Sequence, residues 1–156
     1  MSDIEIRSVR FDDPDVQKLV AEALADLAAR YGGNGDDTPV AVSDFEPPNG
    51  DFLVAVSAGV LVGSGAWRSH GPEDAELKRM YTAPHARGRG VARRLLAAVE
   101  QSARSQGRRR MILETGDRQP EAVGLYVACG YEPIANFGYY RDEPGVLSFG
   151  RALDPA

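Results

Sequence analysis

Arginine and glycine alternate in the segment Arg87–Gly90, just ahead of an apolar pattern that we expect to form a helix from Arg89 to Gln106. Glycine permits backbone dihedrals that other residues avoid, and it lets a ligand approach the main chain closely. The first N–H groups of a helix have no partner within the helix and lie at the positive end of its dipole. These features predict an anion site, specifically one for phosphate or pyrophosphate.

A β-prone segment, Glu76–Thr82, precedes this turn and ends before Pro84. Side chains alternate between the two faces of a strand, so we expect the odd-numbered residues from Leu77 to Tyr81 to share one face and the even-numbered ones to share the other. The order of strand, glycine-rich turn and helix then places the anion site at the end of this strand.

The remaining patterns predict the elements that hold this unit in place. One strand and one helix precede a long loop, Tyr31–Gly50, in which we expect a short turn of helix near Val42–Phe45. Three antiparallel strands ending with Glu76–Thr82, a helix, a buried strand at Arg109–Thr115, another helix and two strands follow. Because a helix joins them, the Glu76–Thr82 and Arg109–Thr115 strands should be parallel. This order predicts a mixed α/β sheet with helices on both faces.

Composition and charge disfavour several classes of protein. The net charge of −5 argues against nucleic-acid binding, and no apolar run reaches the roughly 18 residues that a membrane span needs. The single cysteine, Cys129, excludes an internal disulfide and a cysteine-based metal cluster, and two distant histidines predict no metal site. Since the N-terminal residues lack the features of a signal peptide, we expect a cytoplasmic location.

The segment Arg87–Ala92 resembles the acyl-CoA signature of the GNAT superfamily of N-acetyltransferases, with Arg87, Gly90 and Ala92 at its fixed positions. A second segment, Ala122–Tyr131, resembles the Ala-x-x-Leu-Tyr-x-x-x-Gly-Tyr signature of the same family. The order of strands matches as well, so the resemblance covers nearly the whole chain. It implies a GNAT-like, mostly antiparallel sheet of six or seven strands whose central parallel strands splay apart. It also implies one acyl-CoA N-acyltransferase domain over residues 1–156.

The resemblance further implies acetyl-CoA as co-substrate, without a metal. Backbone N–H groups of the glycine-rich segment would hold the pyrophosphate, and the end of the preceding strand would pair with the pantetheine arm. Some relatives place an Asn against the pantetheine where this chain has Gln119, so that contact is left open. The residues implied in cofactor binding are Met80, Tyr81, Thr82, Arg87, Gly88, Arg89, Gly90, Val91, Ala92 and Gln119.

Two residues match catalytic positions of the family. Tyr126 matches its general-acid tyrosine, since a phenol is protonated at neutral pH and can donate to a leaving thiolate. Glu76 resembles the base glutamate that some relatives carry on this strand. The alternatives are a core tyrosine on a helix stripe and a strand carboxylate paired with a neighbouring Arg or Lys. Cys129 would allow a covalent acetyl intermediate, but its place at a helix end favours a buried structural thiol.

The function that the resemblance implies is transfer of an acetyl group from acetyl-CoA to a primary amine by direct attack in a ternary complex. We expect the acceptor pocket to be built from the Tyr31–Gly50 loop, Trp67 and the aromatic turn Phe137–Tyr140, with acids of the loop attracting a cationic amine. The acceptor, a small molecule or a peptide, stays open, as does a homodimer through the Val146–Gly150 edge. The alternative function is a catalytically silent, acyl-CoA-binding regulatory module.

Overall fold

The computed structural model describes residues 3–154, which form one seven-stranded sheet with helices packed against it. Within this range there are three α-helices and two short 3-10 helices, and none of the helices is both long and apolar enough to cross a membrane. The 3-10 helices are Val42–Phe45 and Pro84–Ala86. The strands and α-helices in chain order are β1 (Ile4–Ser8), α1 (Pro14–Tyr31), β2 (Gly50–Ser57), β3 (Val60–His70), β4 (Asp74–Thr82), α2 (Val91–Ser105), β5 (Arg110–Gly116), α3 (Pro120–Ala128), β6 (Glu132–Pro133) and β7 (Val146–Ala152).

The strands pair in the order β1-β2-β3-β4-β5-β7-β6. Neighbouring strands are antiparallel except β4 and β5, which are parallel because α2 connects them. One apolar core lies between the sheet and α1, and the other lies between the sheet and the pair α2 and α3. The predicted mixed, mostly antiparallel sheet with helices on both faces is confirmed.

Strands β4 and β5 pair only over their first residues, and this pairing ends at Glu76 opposite Ile112. Beyond that point β4 continues to Thr82 beside β3, and β5 continues to Gly116 beside β7. Each strand is therefore held on its outer side, and a gap opens between the two in the middle of the sheet. The predicted splaying of the central parallel strands is confirmed.

A β-bulge interrupts β4 at Arg79, whose φ of 59° is left-handed, and the register with β3 shifts at this point. The extra residue breaks the alternation of side chains along the strand. Leu77 and Met80 consequently pack against one core, whereas Tyr81 packs against the other. The prediction that the odd-numbered residues of this strand share one face is therefore wrong.

Trp67 is fully buried in the core that α2 covers. Its Nε1 donates a hydrogen bond of 2.9 Å to Ser102 Oγ on that helix. The preceding residue, Ala66, belongs to the α1 core, so alternation along β3 turns the indole to the opposite face. The expectation that Trp67 helps to build the acceptor pocket is therefore wrong.

The long loop between α1 and β2 is fixed to the α1 face of the sheet. Its short helix, Val42–Phe45, forms where a turn of helix was predicted. Phe45 is buried, and its ring centroid lies 4.9 Å from that of Phe11 and 5.6 Å from that of Phe52. This aromatic anchor holds the second half of the loop, while the first half reaches across to the gap between β4 and β5.

Candidate active site

A cavity of about 480 Å³ lies in the gap between β4 and β5. Its walls come from these two strands, the C-terminal half of α1, the following loop up to Asp37, Tyr126 of α3 and the segment that leads into β7. Because the strands separate here, Lys78, Arg79 and Glu114 border one shared space. The cavity is therefore lined by both apolar and charged side chains.

Glu114 supplies a carboxylate to this cavity from β5. The main-chain N–H of Tyr140 donates to its two oxygens, at 3.3 and 3.2 Å. Burial raises the pKa of Glu114 above its ordinary value. The charge of Glu76 acts in the same direction, whereas the charge of Lys78 and two backbone N–H groups act against it. A carboxylate with a raised pKa inside a cavity is suited to accept a proton from a bound amine.

Tyr126 lies on the α3 side of the same cavity. Its ring is part of the core and packs 5.8 Å, centroid to centroid, from that of Tyr131. Burial raises the pKa of Tyr126, so the phenol stays protonated. Among residues 3–154 no group forms a hydrogen bond with the Tyr126 hydroxyl. Its oxygen is not completely buried, so it remains accessible to a ligand or to water. The Tyr126 hydroxyl is therefore a proton donor at the cavity wall that is available to a bound ligand.

Asp36, in the loop after α1, gathers the polar groups at the other side of the cavity. Its Oδ1 accepts hydrogen bonds from Thr38 N at 2.9 Å, Thr38 Oγ1 at 2.6 Å and Tyr140 Oη at 2.8 Å. Its Oδ2 lies 3.6 Å from Lys78 Nζ and 3.2 Å from Arg79 Nη1. Burial alone would raise the pKa of Asp36, but Lys78, the hydrogen bonds from Thr38 and Arg79 outweigh it and lower the pKa to about 2.

Replacement of Asp36 by Asn should lower the free energy of unfolding at pH 7 by about 3 kcal/mol, because two buried cations lose their carboxylate. The pKa of Asp36 is about 2 in the folded chain, against an ordinary value of 3.8. Its stabilisation is therefore complete above about pH 5 and is lost as the pH falls toward 2. Urea unfolding of both proteins measures this, and the difference between them should shrink between pH 7 and pH 3.

The matched control for this measurement is Asp37→Asn, since Asp37 is exposed and, within residues 3–154, the one hydrogen bond to its carboxylate comes from Asn34 Nδ2 at 3.5 Å. This variant should unfold like the wild type at both pH values. An equal loss of stability in the two variants would contradict the role given to Asp36.

Glu76 lies outside the cavity lining, at the last position where β4 pairs with β5. It is buried, and Arg68 Nε donates to its Oε1 at 3.1 Å. Arg68 also contacts Asp44, with 3.4 Å between Nη1 and Oδ2. The Glu76 carboxylate is therefore paired with a neighbouring Arg, which is the alternative to a catalytic base that the sequence left open. A catalytic role for Glu76 stays a prediction, whereas the carboxylate of Glu114 does border the cavity.

Glu114 was not identified from the sequence as a functional residue. One signal was available, because the carboxylate follows the buried run Met111–Leu113 within one strand, and an acid is rarely buried without a partner. The partners of Glu114 were not apparent from the sequence, because the N–H that donates to it belongs to Tyr140, more than twenty residues downstream. Asp36 is one of the loop acids expected to attract a cationic amine, but its partners were not apparent either, because its contacts are all long-range apart from those with Thr38.

The predicted anion turn has the backbone geometry that its glycines imply. Gly88 and Gly90 have left-handed φ angles of 80° and 77°. Gly90 is the N-cap of α2, and the first intrahelical bond runs from Arg94 N to Gly90 O at 3.1 Å, so the N–H groups before Arg94 have no partner within the helix. Arg87 Nε donates to Thr82 O at 3.1 Å and ties the turn to the end of β4.

The residues expected to bind a cofactor fall into two groups. Met80, Tyr81 and Gln119 line the cavity. Gln119 Nε2 also donates to Tyr31 Oη, at 3.4 Å, which joins the end of α1 to the start of α3. The second group lies beyond the end of β4, outside the cavity lining, and comprises Thr82, Arg87, Gly88, Arg89, Gly90, Val91 and Ala92.

Cys129 lies apart from these groups. It is half-buried at the end of α3, outside the cavity lining, and its Sγ lies 3.6 Å from Arg93 Nη1. Across residues 3–154 no group of three or more His, Cys, Asp and Glu side chains is arranged to hold a metal ion. Among the described residues the lining of the cavity holds five acids, two cations and four phenols: Asp26, Asp36, Asp37, Glu114, Glu143, Lys78, Arg79, Tyr31, Tyr81, Tyr126 and Tyr140.

Known proteins are similar to this chain in both sequence and fold. Residues 20–131 match the model of the acetyltransferase (GNAT) family. An IAA acetyltransferase of Azospirillum brasilense is 39% identical over 107 residues, which cover 68% of this chain and 70% of the relative. An uncharacterized N-acetyltransferase of Schizosaccharomyces pombe is 31% identical over 156 residues, covering 91% of this chain and 96% of the relative.

A solved structure extends the similarity to the tertiary level. A Klebsiella pneumoniae protein described as an acyl-CoA N-acyltransferase superposes with a TM-score of 0.84 at 28% identity, covering 97% of this chain and 98% of that one. The family match spans both the glycine-rich turn and Tyr126, and the fold is shared along nearly the whole length. The chain therefore belongs to the GNAT family of acetyltransferases and is an N-acetyltransferase.

Proposed function

We propose that this chain transfers the acetyl group of acetyl-CoA to a primary amine by direct attack in a ternary complex. The observation that carries the proposal is the cavity in the splayed sheet, whose lining includes both Glu114 and Tyr126. One group is suited to remove a proton and the other to donate one, and β4, whose Met80 and Tyr81 line the cavity, leads into the predicted anion turn. The names of the relatives support acetyl as the transferred group.

The residues present fit an acyl-CoA. The N–H groups at the start of α2 and the left-handed glycines Gly88 and Gly90 suit a pyrophosphate. The second half of β4, from Met80 to Thr82, has no partner strand on its β5 side and can pair with the amides of a pantetheine arm. Bound there, acetyl-CoA would supply an activated acetyl group as a thioester. The cavity itself would then hold the acetyl end and the acceptor amine.

Proton movements are divided between two residues. Glu114 accepts, at its carboxylate, the proton that the acceptor amine loses on attack. Tyr126 holds at its Oη the proton that the leaving group takes up, and its position in the core keeps this group neutral until then. Glu76, the base expected from the sequence, lies on the neighbouring strand and is paired with Arg68, so its role must be measured beside that of Glu114.

Gly90→Val should weaken the binding of acetyl-CoA about tenfold, because a β-branched residue disfavours the left-handed N-cap and disturbs the N–H groups beside it. Isothermal titration measures the dissociation constant. The matched control is Gly107→Val, since Gly107 has a φ of 80° at the other end of α2 and nothing lies within 4 Å of an added Cβ at either position. Equal losses in both variants would point to helix strain rather than to an anion site.

The function itself is tested with a panel of small amines, amino acids and lysine peptides, with detection of released CoA thiol. Transfer to at least one class, with acetyl-CoA and amine both required before any thiol appears, supports the proposal. Tight binding of acetyl-CoA without turnover on any amine would favour the silent regulatory module instead. Release of thiol before the amine is added, with an acetylated enzyme, would contradict direct attack.

A further inference from the structure

The aromatic turn Phe137–Tyr140 is built against the carboxylate of Glu114. The N–H of Tyr140 donates to both oxygens of that carboxylate, and the N–H of Gly138 also acts to lower the pKa of Glu114. A Cβ added at Gly138 would overlap the carboxylate group of Glu114, so either the carboxylate or the turn would have to move. The main chain of the turn and the side chain of Glu114 thus determine one another's position.

The turn is anchored through the phenol of Tyr140. Its Oη donates to Asp36 Oδ1 at 2.8 Å and accepts from Asp37 N at 2.7 Å. Asp36 is itself fixed by Lys78 and Arg79 of β4. Burial, together with the charge of Asp36, raises the pKa of Tyr140 to about 12, so its hydroxyl remains a donor at any working pH. The chain of contacts runs from β4 through Asp36 and Tyr140 to Glu114 on β5.

We propose that Tyr140 is a positioning residue, whose phenol, bound to Asp36, holds the Phe137–Tyr140 turn so that its N–H groups orient the Glu114 carboxylate and favour its ionised form. The inference rests on the proposed function, in which Glu114 is the base. It goes further by assigning the control of that base to the loop after α1, on the far side of the cavity. Tyr140 acts on the acceptor amine only through Glu114.

The sign of the effect follows from the groups that face Glu114. Glu76 of β4 and burial disfavour the ionised carboxylate, while Lys78 of β4 and the two N–H groups of the turn favour it. Asp36 is connected to Glu114 through Tyr140, which forms hydrogen bonds with both carboxylates. When the N–H groups withdraw, the pKa of Glu114 rises, and the acidic limb of the rate profile moves to higher pH.

Tyr140→Phe is the first test, carried out on the full chain. The carboxyl carbon of Glu114, assigned by its loss in Glu114→Gln, is followed by NMR titration, and kcat/KM is measured from pH 5 to pH 9. We expect the titration midpoint of Glu114 to rise and the activity to fall by roughly tenfold at the acidic end, with less than about a twofold change on the alkaline plateau. An unchanged midpoint, even with lower stability, would overturn the proposal.

Two further variants separate positioning from general damage. Tyr139→Phe removes the neighbouring phenol, which is half exposed and packs edge-to-face against Tyr140 with 4.9 Å between ring centroids, and it should leave the Glu114 midpoint unchanged. Gly138→Ala keeps the Tyr140 phenol but pushes the turn from the carboxylate, and it should raise the midpoint as Tyr140→Phe does. A Gly138→Ala midpoint equal to that of the wild type would contradict the role of the turn.

The titration also keeps this inference distinct from the proposed function. If Glu114→Gln retains full activity, Glu114 is not the base and the proposed mechanism fails. The NMR midpoints of Tyr140→Phe and Gly138→Ala would still report whether the turn controls the carboxylate. If Glu114→Gln is inactive and both midpoints stay at the wild-type value, the mechanism stands and the positioning role of Tyr140 is wrong.

Discussion

Glu114→Gln should lower kcat by roughly a hundredfold to ten-thousandfold, the range that positioned acid–base groups contribute. Gln preserves the size of the side chain and leaves an oxygen that can accept from Tyr140 N–H, but it cannot take up the proton of an amine. Loss of the acidic limb of the kcat/KM profile should accompany the fall, because that limb reports the ionisation of the base in the free enzyme. Steady-state rates from pH 5 to pH 9 measure both quantities.

The control is Glu76→Gln, which removes the other candidate carboxylate from the adjacent strand. This variant breaks the ion pair with Arg68 and should lose stability. It should nevertheless keep the acidic limb. A profile that keeps its limb in Glu114→Gln and loses it in Glu76→Gln would return the base to the residue that the sequence suggested.

Tyr126→Phe should lower kcat about tenfold or more, on the order of 1.4 kcal/mol, with little change in the affinity for acetyl-CoA. The ring is part of the core and is preserved in Phe, so the packing is kept. Only the hydroxyl is removed, and no group among residues 3–154 depends on it for a hydrogen bond. The change therefore isolates the proton at the cavity wall. Single-turnover rates and isothermal titration with acetyl-CoA separate kcat from binding.

The control here is Tyr131→Phe, because Tyr131 is also buried and packs directly against Tyr126. Its hydroxyl donates to Glu100 Oε2 at 2.7 Å and so has a structural partner. Tyr131→Phe should lose stability, since a buried carboxylate loses a donor, and it should keep its turnover number. Wild-type turnover in Tyr126→Phe would remove the tyrosine from the mechanism.

The order of elements was predictable because each one is specified by local patterns. The helical periodicity after Arg89, the glycines at both ends of that helix and the β-prone runs before it all depend on residues a few positions apart. The parallel pairing of β4 with β5 followed from the helix between them. The splaying of these strands and the roles of Tyr126 and the glycine-rich turn came from the family resemblance, not from the patterns themselves.

The errors share a different cause, the register between strands. At the Arg79 bulge, β4 has two residues between paired positions where β3 has one. This extra residue shifts every later side chain of β4 to the other face. Trp67 was assigned to the wrong face because alternation alone does not say which face of a sheet a strand presents to which helix. Neither fact is visible in a window of one sequence segment.

The sequence by itself determined the strand-turn-helix unit, its glycines and the fold class, since these depend on interactions between near neighbours along the chain. Tertiary structure alone decided which groups meet in the cavity. Glu114 faces a turn that follows it by more than twenty residues, and Asp36 reaches Lys78, Arg79 and Tyr140 across 42, 43 and 104 positions. Such contacts arise only when the sheet splays and the loop folds back over it. The sequence therefore pointed to Tyr126 as a candidate residue, but not to Glu114, which lines the same cavity.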